Sequence, residues 1–345
     1  MKKVRWGVLG VARIAVNRVI PAMKNAELCE VVGIASRDLV RAQAAARDCG
    51  IPKAYGSYEE LLADPEIDAV YNPLPNHLHV PWSIRAAEAG KHVLCEKPIG
   101  MNVAETLQLI AVRDRTGVVM GEGFMIQAHP QWQRITELVR SGRIGRLHSA
   151  VGTFSYFKLE PDNIRNIREY GGGGLMDIGC YPIKTSRMVF GEEPVRVSAA
   201  ITRDPRFGNI DMLTSAILEY PSGHCIFTSS TQIMLQQSMC FYGTEGRIQP
   251  EIPFNAAIGR VARIHIDDGR DLEGGGAVVE EIAPCDQYVL QGDAFARAIR
   301  GDGAVPVPLE DALLNMAVID AVFRSAETGS WEQPAELLRA AGAAV

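Results

Sequence analysis

Two short motifs carry the side chains best suited to moving a proton. The first is Gly90-Lys-His-Val-Leu-Cys-Glu96-Lys97-Pro98, and the second is Gly171-Gly-Gly-Gly-Leu-Met-Asp177-Ile-Gly-Cys-Tyr181-Pro. A free tyrosine, with a pKa near ~10, is a poor base at neutral pH. An ammonium close by, such as that of Lys97, favours the tyrosinate, and lowering the pKa by ~2 takes roughly 3 kcal/mol. Asp177 and Tyr181 are four residues apart, so on a helix they project from one face. The glycine run places them near the positive N-terminus of that helix, which also favours an anion. The plainer readings are a solvated Glu96–Lys97 pair and a helix-capping Asp177. The joint occurrence of the two motifs speaks against both. Cys180 raises the question of a nucleophilic thiol, but no His stands in a recognised local motif with it, and small buried cysteines are common.

A second constellation suits a dinucleotide. Gly10-Val-Ala12-Arg13-Ile14-Ala15 follows an apolar run and opens a helical one, occupying the positions of G-x-G-x-x-G with alanine at the second and third glycines. That pattern lets backbone approach a pyrophosphate at a helix N-terminus, although a plain strand-turn-helix would also fit. At the end of the next apolar run an NAD site usually carries an acidic residue for the ribose 2′-hydroxyl. This chain has Ser36-Arg37 there, with Asp38 at the expected helix cap and Arg41 one turn further on. A guanidinium beside a hydroxyl suits a 2′-phosphate, so NADP is expected over NAD, which stays possible. The competing reading for both arginines is a solvated surface charge.

The elements that must position these residues follow from the apolar spacing. Strands are expected at Val4–Leu9, Val31–Ala35, Asp68–Tyr71, His92–Cys95 and Val118–Met120. Helices are expected at Arg13–Met23, Leu39–Cys49, Tyr58–Leu62, His79–Ala89 and Val103–Thr116, with Asp38 and Ser57 as caps. This alternation implies a parallel sheet covered on both faces. Leu74, Asn76, His77 and His79 then fall just past a strand, at the carboxyl edge where such sheets bind ligands. The His-x-His pair lacks a third ligand, so no metal is expected. Beyond about residue 122 the pattern changes to a helix at Gln131–Ser141 and strands at Leu147–Phe157, Val195–Thr202, Leu213–Tyr220, His224–Gln232 and Gln237–Tyr242. Helices are expected at Leu175–Phe190, Tyr288–Arg300 and Leu309–Glu327, and Gly274–Gly276 suits a hairpin loop. The organisation expected is α/β followed by α+β: residues 1–122 as a nucleotide-binding domain and 123–345 as a substrate-binding and oligomerisation domain. The C-terminal helix is placed to pack back on the first.

Taken together, Tyr71-Asn-Pro-Leu-Pro-Asn76-His-Leu-His79, Glu96-Lys97-Pro98 and Asp177-Ile-Gly-Cys-Tyr181 are a specific signature. Over nearly its full length the chain resembles the family of glucose–fructose oxidoreductase and inositol dehydrogenase. It looks closest to the branch with dimeric dihydrodiol dehydrogenase and NADP-dependent xylose dehydrogenase. The resemblance implies a Rossmann domain followed by an open, mostly antiparallel β-sheet with helices on one face. It implies an NADP-preferring oxidoreductase passing hydride between nicotinamide and a carbinol carbon of a sugar or cyclic diol. Tyr181 would be the acid/base, Lys97 its electrostatic partner, and Asp177 a substrate-orienting or proton-relay group. Pro98 would follow a cis peptide bond that aims Lys97 into the cleft, and Glu96 would lie near the nicotinamide ribose. Arg165 stands where related sequences carry a cofactor-facing arginine, although an exposed arginine is an equal reading. Tyr288 is a candidate for the nicotinamide pocket, or ordinary core.

Composition narrows the alternatives. Apolar residues make up 47% and charged residues 22% of the 345 positions, an ordinary globular balance of a length that suits two domains. A net charge of −6 argues against a nucleic-acid surface, and no apolar run approaches a membrane span. The seven cysteines are scattered and form no C-x-x-C pair, which points to reduced thiols in the cytoplasm. An export signal and N-terminal arm are not seen, so the cofactor is expected to be exchangeable. Two rivals occur in the same family: glycosidases that use bound NAD for transient oxidation, and regulators that sense a dinucleotide. Intact Lys97, Asp177 and Tyr181 argue against the regulator, since a sensor needs no acid/base. The broad face of the second sheet is expected to pair with a copy of itself, giving a homodimer or homotetramer.

Overall fold

The computed structural model describes residues 2–343, which form two compact units. The first takes in the residues up to Ala128 together with Asp286–Leu313. In chain order it contains β1 (Val4–Leu9), α1 (Ile20–Asn25), β2 (Cys29–Ala35), α2 (Leu39–Cys49), β3 (Lys53–Tyr55), α3 (Tyr58–Ala63), β4 (Ala69–Asn72), α4 (His79–Glu88), β5 (His92–Glu96), α5 (Val103–Thr116) and β6 (Met120–Gly123). The six strands run parallel in the order β3-β2-β1-β4-β5-β6. The order reverses between β1 and β4, which opens a crevice at their carboxyl ends. Trp6, Val8 and Leu9 of β1 are all fully buried, as expected of a central strand covered on both faces. Each such side chain contributes about 1.5–3 kcal/mol relative to exposure.

Local signals set the helix ends. The Asp38 carboxylate accepts the N–H groups of Val40 and Arg41 at 2.9 and 3.3 Å, and Gly50 closes α2 in the left-handed conformation. Ser57 caps α3 by accepting the N–H of Glu60 at 3.1 Å. Two expected helices begin differently from the sequence reading. Arg13–Met23 opens with a π-helical turn at Ala15–Val19, and Leu175–Phe190 opens with another at Leu175–Gly179. Each is followed by a proline, Pro21 or Pro182, which removes an N–H from the α-helical ladder. The three-residue edge strand β3 also went unanticipated, being too short, and too evenly half-buried, to display a period.

The second unit comprises His129–Cys285 and the residues from Leu314 onward. It contains α6 (Pro130–Arg140), β7 (Leu147–Phe157), α7 (Cys180–Phe190), β8 (Arg196–Asp204), β9 (Ile210–Tyr220), β10 (Gly223–Ser230), β11 (Gln232–Gly243), β12 (Arg247–Pro250), β13 (Ala262–Asp267) and β14 (Ala277–Ile282). These build an eight-stranded sheet in the order β14-β13-β12-β11-β7-β10-β9-β8. All pairs are antiparallel except β10 with β7. The three strands β12–β14 extend the sheet beyond the sequence reading; they are short, and β14 is mostly exposed. The expected hairpin loop at Gly274–Gly276 lies between β13 and β14.

The two faces of this sheet differ. Ala150, Gly152 and Phe154 of β7 are buried, and a Cβ on Gly152 would meet Met239 Sδ at 2.8 Å and Pro182 Cβ at 3.3 Å. On the opposite face Val151, Ile226 and Ile217 stand exposed side by side, paired in register across β7, β10 and β9. The chain continues through α8 (Gln287–Ile299) in the first unit and α9 (Leu309–Thr328), and ends in α10 (Pro334–Ala340). Within the first unit α8 is fastened to the start of β2, where Asp293 accepts the N–H groups of Glu27 and Leu28. Helix α10 was not expected, although Pro334 in its first turn is a usable start signal.

Candidate active site

In the first unit the turn after β1 is built round Gly10. Its φ of +92° lies in the left-handed region, and a Cβ there would come within 2.9 Å of Leu74 Cδ2. Its N–H donates to Ala35 O at 2.9 Å, tying the turn to the end of β2. Ala12, exposed Arg13 and half-buried Ile14 lead from this turn into the helical segment, whose unpaired first N–H groups favour an anion.

At the end of β2 the carboxylate of Asp38 is committed to capping α2, and its own N–H donates to Ser36 Oγ at 3.2 Å. The cations Arg37 and Arg41 are exposed here, together with Asp38, Leu39 and Val40. Arg41 Nη2 donates to Val11 O at 3.3 Å, so it lies along the glycine turn. Asp38 Oδ1 is engaged by the cap, and the two guanidinium groups on either side of it fit a phosphorylated ribose.

The loop after β4 is held by buried polar groups. Asn72 Nδ2 donates to His79 O at 3.0 Å and to Ser83 Oγ at 3.1 Å, while its Oδ1 accepts the Leu74 N–H at 3.3 Å. The His79 ring is buried between two carbonyls, with Nδ1 2.7 Å from Pro98 O and Nε2 2.6 Å from Leu74 O. Burial pushes its pKa down to about 4, so the ring is neutral and donates to one carbonyl at a time. Asn76 and His77 lie half-buried in the short turn between. The Lys97–Pro98 peptide is cis, with Lys97 half-buried. Glu96 accepts the Tyr71 hydroxyl on Oε1 at 2.7 Å and the Lys97 N–H on Oε2 at 3.3 Å. Burial, and then the Glu96 charge, push the Tyr71 and Tyr288 hydroxyls well above their ordinary pKa.

In the second unit Asp177 lies in the π-helical turn and Tyr181 at the start of α7. Asp177 Oδ2 accepts the Tyr156 hydroxyl at 2.6 Å and Arg165 Nε at 2.7 Å. Burial, and next the Asp177 charge, raise the Tyr156 pKa, while Asp177 is the main cause of the raised Arg165 pKa. Tyr181 is buried, with the Phe154 ring edge-on at 5.3 Å and the Phe254 ring at 5.4 Å. Strand β7 thus faces this helix start with Phe154 and Tyr156, two residues apart, against Tyr181 and Asp177, four apart. Two strand residues advance about 6.8 Å and four helical residues about 6 Å, so the two spacings match.

The glycine run is fixed by a carboxylate. Buried Asp211 Oδ2 accepts the Leu175 N–H at 2.6 Å, and Gly173, with φ +118°, has no room for a Cβ beside Asp211 Oδ1. Burial raises the Asp211 pKa to about 6. Tyr71, Asn72, Tyr156 and Asp211 were missed as functional candidates. Tyr71 and Asn72 stood inside a quoted motif and Tyr156 inside a recognised strand. Nothing in the sequence singled out Asp211. Among the described residues no group of three or more His, Cys, Asp or Glu side chains is gathered as metal ligands, and no helix is long and apolar enough to cross a membrane.

Two family descriptions match the sequence. "Oxidoreductase family, NAD-binding Rossmann fold" covers residues 4–124, and "GFO/IDH/MocA C-terminal domain" covers residues 132–249. An uncharacterized oxidoreductase of Rhizobium meliloti is 51% identical over 96% of this chain and 99% of its own length. D-xylose 1-dehydrogenase (NADP(+)) 2 of Haloferax volcanii is 41% identical over 94% of this chain and 98% of its own. The structure is similar to that of a 3-ketoreductase from Actinomadura kijaniata in complex with NADP and TDP-benzene. That match has a TM-score of 0.88 and 30% identity, and covers 94% of this chain and 98% of the other.

Proposed function

The chain belongs to the GFO/IDH/MocA family of NAD(P)-dependent oxidoreductases, and on that premise we propose that it is an NADP-preferring dehydrogenase or reductase. Its substrate is a sugar or cyclic diol, oxidised or reduced at a carbinol carbon. The observation that carries the reading is the Asp177 carboxylate, held by Tyr156 and Arg165 one helical turn before Tyr181. A carboxylate fixed in this way orients a hydroxyl, and the phenol beside it exchanges a proton with that hydroxyl.

The bound nicotinamide supplies the hydride acceptor or donor. In the oxidative direction Tyr181 takes the proton of the substrate hydroxyl, and in the reductive direction it returns one to the carbonyl oxygen. Lys97 supplies the ammonium that favours the tyrosinate. The backbone from Gly10 through Ala12, Arg13 and Ile14 holds the pyrophosphate, and Ser36, Arg37 and Arg41 bind the adenosine 2′-phosphate. Leu74, Asn76, His79, Glu96, Pro98, Arg165 and Tyr288 shape the remaining cofactor surface, His79 by bracing Leu74 and Pro98. The exposed row of Val151, Ile226 and Ile217 supports pairing of two copies through this sheet face.

Nicotinamide absorbance followed with NADP⁺ and a panel of sugars and cyclic diols tests the reading. A substrate-dependent rise in NADPH is expected. Cleavage of glycosides with no net absorbance change would replace it with the glycosidase.

A further inference from the structure

The segment that carries Lys97 from β5 to α5 is held from behind by side chains of other elements. Strands β5 and β6 pair as far as Glu96 and Gly123, and Ile99 lies beyond that ladder. Its N–H donates instead to Glu122 Oε1 at 2.9 Å, a buried carboxylate on β6 that stands 23 residues further along the chain. The other side of the same peptide, Pro98 O, lies 2.7 Å from Nδ1 of buried His79. The Pro98–Ile99 peptide is thus met at its oxygen and its nitrogen by side chains from two different elements. Further on, the Met101 N–H donates to Glu105 Oε2 and the Glu105 N–H to Asn102 Oδ1, both at 2.9 Å. Those are contacts a helix start makes for itself. Glu122 differs in reaching back from a strand whose own backbone is fixed, by pairing with β5 and by its N–H donating to Val307 O at 3.0 Å. The plainer role for it is to satisfy a buried N–H.

We propose that Glu122 is a positioning residue for the reaction, fixing through the Ile99 N–H the peptide after Pro98 and with it the base of the Lys97 side chain. The Lys97 ammonium stands at the end of a long, flexible stem, so a small turn at that base is carried out to Nζ. Its help to a tyrosinate falls with distance, and misplacement of a group by about 1 Å can cost a hundredfold in rate. What matters in Glu122 is therefore an oxygen at the right reach, and its charge is secondary. The inference rests on the reading of Lys97 and Tyr181 given above.

Two substitutions separate reach from charge. Glu122→Asp keeps the carboxylate but shortens the side chain by one carbon–carbon bond, drawing the acceptor away from the Ile99 N–H. Glu122→Gln removes the charge and keeps an oxygen at the same reach. Hydrogen exchange of the Ile99 amide, followed without cofactor or substrate, is expected to quicken about tenfold in Glu122→Asp and much less in Glu122→Gln. With NADP⁺ and the best sugar or diol, kcat of Glu122→Asp should fall by about tenfold. The midpoint of its pH profile should rise by roughly 1, because a displaced ammonium favours the tyrosinate less. Glu122→Gln should keep the wild-type midpoint. In a Lys97→Ala background Glu122→Asp should cost much less, because the group being positioned is gone. A fully active Glu122→Asp, or a Glu122→Gln that loses as much, would overturn the proposal. So would a fall in kcat with the pH midpoint unmoved, or an equal loss with and without Lys97, since either would show a purely structural role. A wild-type protein that oxidises or reduces no sugar or diol with either nucleotide would instead overturn the enzyme reading, and the proposal with it.

Discussion

The Tyr156 hydroxyl donates to Asp177 Oδ2 at 2.6 Å, two residues along β7 from the Phe154 ring that packs edge-on against Tyr181. One strand therefore braces both candidate catalytic side chains of the second unit. It does so with a polar group against the carboxylate and an apolar ring against the phenol.

Removing the polar brace should affect chemistry more than folding. Tyr156→Phe keeps the ring and the Arg165 contact to Asp177 and removes only the directional contact that the Tyr156 hydroxyl makes to the carboxylate. A hydrogen bond to a charged group is worth about 1.5–3 kcal/mol, so kcat should fall by roughly ten- to a hundredfold. NADP⁺ affinity should be unchanged. Steady-state turnover alongside a coenzyme titration measures both.

His79 braces the first unit in a comparable way. His79→Ala leaves the carbonyls of Leu74 and Pro98 without their shared partner, in a place closed to water. The neutral ring donates to one of them at a time, so one donated hydrogen bond is lost, and a loss of about 1–3 kcal/mol is expected from denaturant unfolding. The pH dependence has a defined sign. With a folded pKa of about 4, the unfolded state binds more protons between about 4 and 6.5, so the His79 contribution is lost as pH falls through that window. The variant should lack this acid sensitivity.

Asp211 carries the opposite dependence. Its folded pKa of about 6 exceeds the ordinary carboxylate value, so the folded state binds more protons between about 4 and 6. Its contribution is fully present below about pH 4 and is lost as pH rises through 6, by up to ~3 kcal/mol. The groups around it are the Leu175 N–H, the Thr214 hydroxyl and, at longer range, the Arg203 charge. Asp211→Asn keeps an acceptor for Leu175 and removes the titration. Unfolding midpoints measured across pH 4 to 7 should therefore decline less steeply towards neutrality in the variant than in wild type.

The parts of this arrangement that announced themselves in the sequence are those with a local signature. Asp38 before Leu39–Cys49 was readable as a cap because the residue type and the following apolar period agree. Lys97, Asp177 and Tyr181 stood out as candidates because glycine, proline and charge occur together in two short motifs. The π-helical turns were not, since they depend on how Pro21 and Pro182 break a ladder whose residues otherwise read as plain helix. Tyr156 looked like one more member of an alternating strand, and its pairing with Asp177 is a tertiary fact. Asp211 sits near the start of β9, in a stretch the apolar pattern left out of the strand because a buried carboxylate interrupts it. Strands β12–β14 gain their place from pairing with neighbours, which no window of their own sequence contains.

The central claim is that Tyr181 exchanges the proton of the reacting hydroxyl, and Tyr181→Phe tests it most directly. The substitution keeps the ring between Phe154 and Phe254 and removes only the hydroxyl. Single-turnover NADPH formation with the best sugar or diol substrate, alongside calorimetric NADP⁺ binding, separates chemistry from binding. The account predicts a rate lower by about 10²–10⁴-fold with NADP⁺ affinity preserved. Full turnover in the variant would contradict it and move the acid/base role to another side chain.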